Sequence, residues 1–153
     1  MASAPSRPSS RVTGVGGVLV VVYGIMALAA TGRSFVQIVR EFDAAPLAYT
    51  LSAVSAVVYL LATVALLFSR SRTWYAVAWV AICFELAGVL VVGTLSLTHP
   101  ELFQHPTVWS LYGDGYVFVP LVLPFVGLWW LIAHRPGRPV PVEEPETVGR
   151  SSW

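Results

Sequence analysis

The chain has 153 residues, 56% of them hydrophobic and only 11% charged, and a formal net charge of +1. Soluble domains carry about 25% charged residues, and a mean hydropathy of +0.72 lies well on the apolar side. These values exclude a separate soluble domain beside the apolar segments, and no basic patch points to nucleic acid as a partner. All nine basic residues are arginine, and neither lysine nor asparagine occurs, a bias that fits a GC-rich genome.

Residues 1–11 (MASAPSRPSSR) hold Ser, Pro and Arg with almost nothing to bury, and read as a disordered tail. Four apolar runs follow, at about 12–31, 47–68, 74–97 and 115–133. Each is about 20 residues, enough for a helix to cross a hydrocarbon core of ~30 Å. The fold class expected is an all-α bundle of four transmembrane helices filling 12–134. Residues 135–153, rich in Pro and acid, read as a second disordered tail. Run one has a rival reading as a cleaved signal peptide, with Arg7 and Arg11 as its basic start and Ala27-Leu28-Ala29 as its cleavage pattern. Its length and its glycines suit a packed span better.

Between runs one and two, Phe35, Ile38, Val39 and Phe42 fall at helical spacing, with Gln37, Arg40 and Glu41 opposite. That pattern fits a short amphipathic helix lying on the membrane surface, or equally a continuation of span one. Arg7 and Arg11 precede span one, Arg70 and Arg72 separate spans two and three, and Arg135 and Arg138 follow span four. The opposite side has Arg33 and Arg40 alone. Arginine on one side of a membrane marks the cytoplasm, so both termini are expected inside, in a bacterial plasma membrane. Trp74, Trp79, Trp129 and Trp130 fit the inner interface, and Trp109, Tyr112 and Tyr116 the outer one.

Only one apolar run holds an acidic or basic side chain, Glu85 in the third. A carboxylate at mid-span costs about 2.5 kcal/mol or more on insertion scales. The expected resting form is the neutral acid facing the bundle interior, a donor as well as an acceptor. At ~1.5 Å per residue, Glu85, Tyr59 and Tyr23 all lie near mid-depth. Because the link between spans two and three is short, Tyr59 is the expected partner of Glu85. Pro120 and Pro124 in span four each remove an N–H, which frees the carbonyls of Tyr116 and Pro120 for a donor such as Glu85. Ser52, Ser55 and Tyr59 recur on one face of span two, and Gly17, Gly24 and Thr31 at sevenfold spacing on span one. Both faces suit close helix contact. Two accounts of the Glu85 site stand side by side: interhelical glue, or a carboxyl that binds a proton, a cation or a polar ligand group.

In the third loop, His99, Glu101, His105 and Asp114 form a weak metal-ligand candidate, with Glu101 and His105 four apart if Pro100 starts a helix. The lone Cys83 permits no internal disulfide and reads as a small buried hydrophobe. No Walker loop, G-x-S-x-G or H-E-x-x-H occurs, so no enzyme and no cofactor is expected.

The stretch 107–131 (TVWSLYGDGYVFVPLVLPFVGLWWL) holds VWS, G-x-GY, PLVLP and a trailing aromatic pair. It resembles a segment of small, uncharacterised four-span integral membrane proteins of high-GC Gram-positive bacteria. The resemblance covers the last third of the span region and implies a membrane location and no mechanism. Small multidrug transporters share the size and span number but carry their essential glutamate in span one, where this chain has no acid. The leading expectation is a non-enzymatic accessory or assembly subunit, partnered by the lipid bilayer and by a second copy or a larger membrane complex. The alternatives are a proton-coupled small-molecule transporter centred on Glu85, and a lipid or quinone binder at the Pro-kinked fourth span.

Overall fold

The protein is described here over residues 14–137 of a computed structural model. The two tails, with Arg7, Arg11 and Arg138, lie outside the described residues. The described chain is all-α: helices α1 (Val15–Glu41), α2 (Pro46–Leu67), α3 (Arg72–Thr98) and α4 (Val119–Ala133). Short 3-10 segments cover Phe42–Ala44, Pro100–Phe103 and Ser110–Tyr116.

Helix α1 runs 27 residues without a break. No proline interrupts residues 32–41, so the backbone ladder simply continues and the surface segment is the end of span one. At ~40 Å it is longer than the hydrocarbon core. Pro46 opens α2, where its missing N–H costs nothing because the first turn has no intrahelical acceptor for it. Helix α3 stops at Thr98 because Pro100 forces His99 out of the helical region, to φ −133° and ψ 65°.

The fourth run differs from expectation. The α-helix begins at Val119, and its 15 residues reach only ~22 Å. Val117 and Phe118 adopt left-handed backbone angles, φ 55° and 58°, which end the preceding 3-10 segment and restart the chain in a new direction. Segment Ser110–Tyr116 and α4 meet at a bend of 98°. Three helices are therefore long and apolar enough to cross a membrane, and four spans result if the bent pair is one broken span.

The helices pack in sequential order. Helix α1 lies most extensively against α2, α2 against α3, and α3 against α4, whereas α1 and α4 touch more thinly. Small residues allow the approach: Ala30, Ala48, Ala62, Ala65 and Ala78 are buried between helices. Tyr23, Tyr59, Ile82, Val89 and Leu131 fill the middle. The outward surface is equally apolar, with Val18, Val21, Ile25, Leu28, Leu60, Val80, Phe125 and Ile132 all exposed. An outer face this rich in large hydrophobes is matched to lipid rather than water, and helices are the form in which a backbone meets its own hydrogen bonds there. Three to four apolar helices are compatible with a membrane location.

Candidate functional site

Glu85 sits on the inward face of α3, one turn beyond Ile82 and one turn before Val89, and is fully buried. Its Oε2 accepts a hydrogen bond from the Tyr23 hydroxyl at 2.7 Å. Tyr23 belongs to α1, and α1 and α3 are not among the closely packed helix pairs. The bond therefore spans the diagonal of the bundle, and only a side chain as long as tyrosine reaches it. Gly127 of α4 leaves the room: a Cβ there would stand 3.3 Å from the Tyr23 hydroxyl and 3.0 Å from Ile82. Glu85 Oε1 has no hydrogen-bond partner among the described residues.

The expected partner, Tyr59, is buried beside the site and bears on both Glu85 and Trp109. Its ring centroid lies 6.3 Å from that of Tyr23. Its hydroxyl accepts from the indole Nε1 of Trp109 at 3.1 Å, and it is near enough to Glu85 to interact with the carboxyl electrostatically. The short α2–α3 link does make these helices neighbours and brings Tyr59 to the Glu85 carboxyl, while the 2.7 Å bond to the acid comes from Tyr23 across the core.

Trp109 is the residue of this cluster whose burial the sequence did not indicate. Expected as an outer-interface aromatic, it is 2% exposed and inserted into the bundle. Its six-membered ring lies on Gly88, one turn from Glu85, where a Cβ would come within 2.7 Å of it. Phe84 meets the same ring at 6.4 Å between centroids. The segment that carries Trp109 is tied at several points. Thr107 Oγ1 accepts from the Trp109 and Ser110 backbone N–H groups, and Ser110 Oγ accepts from the Thr107 N–H. The Leu111 N–H donates to Ser96 Oγ of α3 at 2.8 Å. The Tyr112 ring rests on Gly93, and its hydroxyl pairs with Thr94 Oγ1 at 3.0 Å. Arg33 of α1 donates to the Pro106 carbonyl. These contacts hold Leu111 and Tyr112 at positive φ, 50° and 60°, a conformation that costs about 1–2 kcal/mol per non-glycine residue. The loop after α3 is thus a plug that seats its tryptophan over the Tyr23–Glu85–Tyr59 cluster. Gly88 and Gly93 on the α3 face were the available signal.

Of the two prolines, Pro124 frees a helical carbonyl as expected and Pro120 does not. Pro120 occupies the first turn of α4, so it removes an N–H that has no helical acceptor, and Tyr116 lies outside the helix. Its ring instead packs on Gly113. Pro124 is inside α4 and does deprive the Pro120 carbonyl of its helical donor. Both prolines are buried, and the carboxyl of Glu85 is bonded to Tyr23 rather than to that carbonyl. Ser52 and Ser55 are buried on α2; Ser55 Oγ donates to the Ser52 carbonyl at 2.7 Å, while Ser52 Oγ has no partner among the described residues. Gly17 is half-buried, Thr31 is exposed, and a Cβ on Gly24 would make an ordinary 3.8 Å contact with Thr63. The tight glycine seats are others: Gly16 under Trp130, Gly88, Gly93 and Gly127. Cys83, expected to be buried, is exposed on the outer surface.

The four candidate metal ligands are dispersed. His99 Nδ1 and Glu101 Oε1 pair at 2.9 Å. His105 packs edge-on against Tyr49 at 5.7 Å. The 3-10 segment ends at Phe103, so Glu101 and His105 do not share a helical face. Asp114 lies in the later segment Ser110–Tyr116. Among the described residues no group of three or more His, Cys, Asp or Glu is placed to hold a metal ion. Glu101 titrates below the ordinary glutamate value of 4.5, held down by its own backbone N–H and then by His99.

An apolar groove of about 480 Å³ runs between α2 and α3, lined by residues such as Val54, Val57, Leu61, Val80 and Phe84. Glu85 does not line it; the acid is closed off by Tyr23, Tyr59, Ile82 and the plug. No protein family, curated protein or solved structure matches this chain.

Proposed function

We propose that the chain is a four-span protein of a bacterial plasma membrane that works without catalysis, as an accessory or assembly subunit. The observation that carries this reading is the state of Glu85: fully buried, hydrogen-bonded across the bundle diagonal to Tyr23, and roofed by Trp109. An acid that holds α1 to α3 has a structural reason to be in a membrane, at about 0.6–2 kcal/mol per interhelical bond. The outer apolar surface suits contact with lipid and neighbouring membrane helices. The N-in/C-in orientation is supported by charge: Arg70, Arg72 and Arg135 lie at the end of the bundle holding the α2–α3 turn. The other end holds Arg33 and Arg40 with the acids Glu41, Asp43, Glu101 and Asp114.

The second reading is a proton-coupled carrier centred on Glu85. The unpartnered Oε1 favours it, since a buried oxygen without a donor is a place for a proton or ligand group. Two substitutions separate the readings. Glu85→Gln keeps an acceptor for Tyr23, whereas Glu85→Ala removes it. The accessory role predicts normal folded yield and phenotype for Gln and a loss of yield for Ala. A Gln variant that folds normally but loses a flux or phenotype overturns it. Purification in mild detergent adds a second check, because recovery of the chain only as a homo-oligomer counts against an accessory role.

A further inference from the structure

At the end of the bundle that carries the α2–α3 turn, a cavity of about 330 Å³ opens between the first turns of α3 and the residues just after α4. Its walls are Arg72, Tyr75, Trp79, Arg135 and Pro136. Arg72, Tyr75 and Trp79 stand at i, i+3 and i+7, on one face of α3. The face covers ~10 Å of depth, from the helix end to the level of an interfacial tryptophan. Tyr75 fixes the back wall, donating its hydroxyl proton to the Leu131 carbonyl of α4 at 2.7 Å.

Two arginines, Arg72 and Arg135, line this cavity, and neither has an ion-pair partner among the described residues, where the one carboxylate pair is His99–Glu101 at the opposite end. Arg70, two residues before Arg72, is exposed as well. The neighbouring His134 is turned away, stacked on Trp130 at 4.6 Å with its Nδ1 3.0 Å from the Trp130 carbonyl. Every wall group that carries charge is therefore cationic, and the remaining walls are aromatic or apolar. Guanidinium forks match phosphate oxygens, and tyrosine and tryptophan sit at the headgroup level of a bilayer. We propose that this cavity binds the phosphate of an anionic phospholipid, with Arg72 and Arg135 on the phosphate and Tyr75 and Trp79 beside the upper acyl chain. A lipid is favoured over a soluble phosphate because the cationic rim continues into an aromatic wall that descends toward the hydrocarbon. A basic pocket between helix ends at one membrane face is a physical basis for headgroup selectivity.

The test is native mass spectrometry of the full chain in mild detergent, titrated with phosphatidylglycerol or with phosphatidylcholine of the same acyl chains. Phosphatidylglycerol is expected to bind more tightly. The Arg72→Gln variant should weaken it about fivefold and the Arg72→Gln, Arg135→Gln pair about thirtyfold, at the scale of one arginine near an anionic surface. Arg40→Gln, at the other end of the bundle, should leave binding unchanged. Binding to the wild-type chain should also weaken as salt rises, a readout that survives even if the glutamine pair does not fold. Equal affinity for the two lipids overturns the proposal, as does a folded glutamine pair that binds like wild type. Displacement of the lipid by equimolar inorganic phosphate overturns it in favour of a soluble anion. Selective binding that emerges only after deletion of residues 139–153 overturns it in favour of the chain's own acids, Glu143, Glu144 and Glu146.

Discussion

The tightest test of the plug is the substitution Gly88→Ala. A Cβ at this position would lie 2.7 Å from Cζ3, 2.9 Å from Cε3 and 2.9 Å from Cη2 of Trp109. Carbon atoms rest comfortably at about 3.5–4.0 Å, so the indole must retreat by roughly 1 Å. It cannot do so freely, because Nε1 is hydrogen-bonded to Tyr59 at 3.1 Å and Phe84 backs the ring. Overpacking of this kind costs about 1–3 kcal/mol, and stretching the Trp109–Tyr59 bond adds about 0.6 kcal/mol. Against this, alanine is better than glycine inside a helix by about 0.5–1 kcal/mol. The net expectation is a loss of about 0.6–3 kcal/mol. Gly24→Ala is the matched control: its Cβ would meet Thr63 at an ordinary 3.8 Å, so only the helix gain remains and the variant should be neutral or more stable by up to about 1 kcal/mol. Reversible unfolding in mixed micelles measures both. If Gly88→Ala is as stable as Gly24→Ala, Trp109 is not seated on α3 and the plug is wrong.

Tyr23→Phe removes the 2.7 Å donor to Glu85 Oε2 and leaves that oxygen buried without it; a loss of about 1–2 kcal/mol is expected. The double variant Tyr23→Phe, Glu85→Leu should recover part of it, and additive losses in the unfolding cycle would deny the coupling. Glu101 gives a pH signature. Its folded carboxyl titrates below its ordinary value of 4.5, so the stability it contributes is present above that value and fades as pH falls through the lower folded one. Glu101→Gln should flatten that limb of a pH–stability curve, and an NMR titration placing Glu101 at or above the ordinary value would remove the basis for it. Orientation is open to labelling in a chain with the exposed Cys83 replaced by alanine. An impermeant thiol reagent added outside cells should reach a cysteine at position 105 and miss one at position 71; the reverse pattern inverts the topology.

Much of the membrane character was legible because hydropathy is local. Any 20-residue stretch such as 47–68 announces a buried or lipid-covered helix from its own composition, and Pro46 and Pro100 mark helix ends through their own ring geometry. That Glu85 must be buried and partnered followed equally from the cost of charge in hydrocarbon. Which tyrosine it meets did not. Tyr23 and Tyr59 are both at the right depth, and the choice depends on helix rotation and on the room left at Gly127 of α4. The bend in the fourth run was hidden for the same reason. Residues 115–118 are as apolar as a helix requires, yet Gly113, Ser96 and Gly93 draw the preceding loop inward and turn the backbone through 98° before α4 begins. Trp109 shows the limit most clearly. An interfacial tryptophan and one inserted as a plug are identical residues in identical sequence surroundings, and only a glycine on another helix, opposite the place where the loop closes, separates them. Depth and burial are carried by single segments and can be read one segment at a time. Partner choice is a property of faces meeting, and it exists only once the helices have packed.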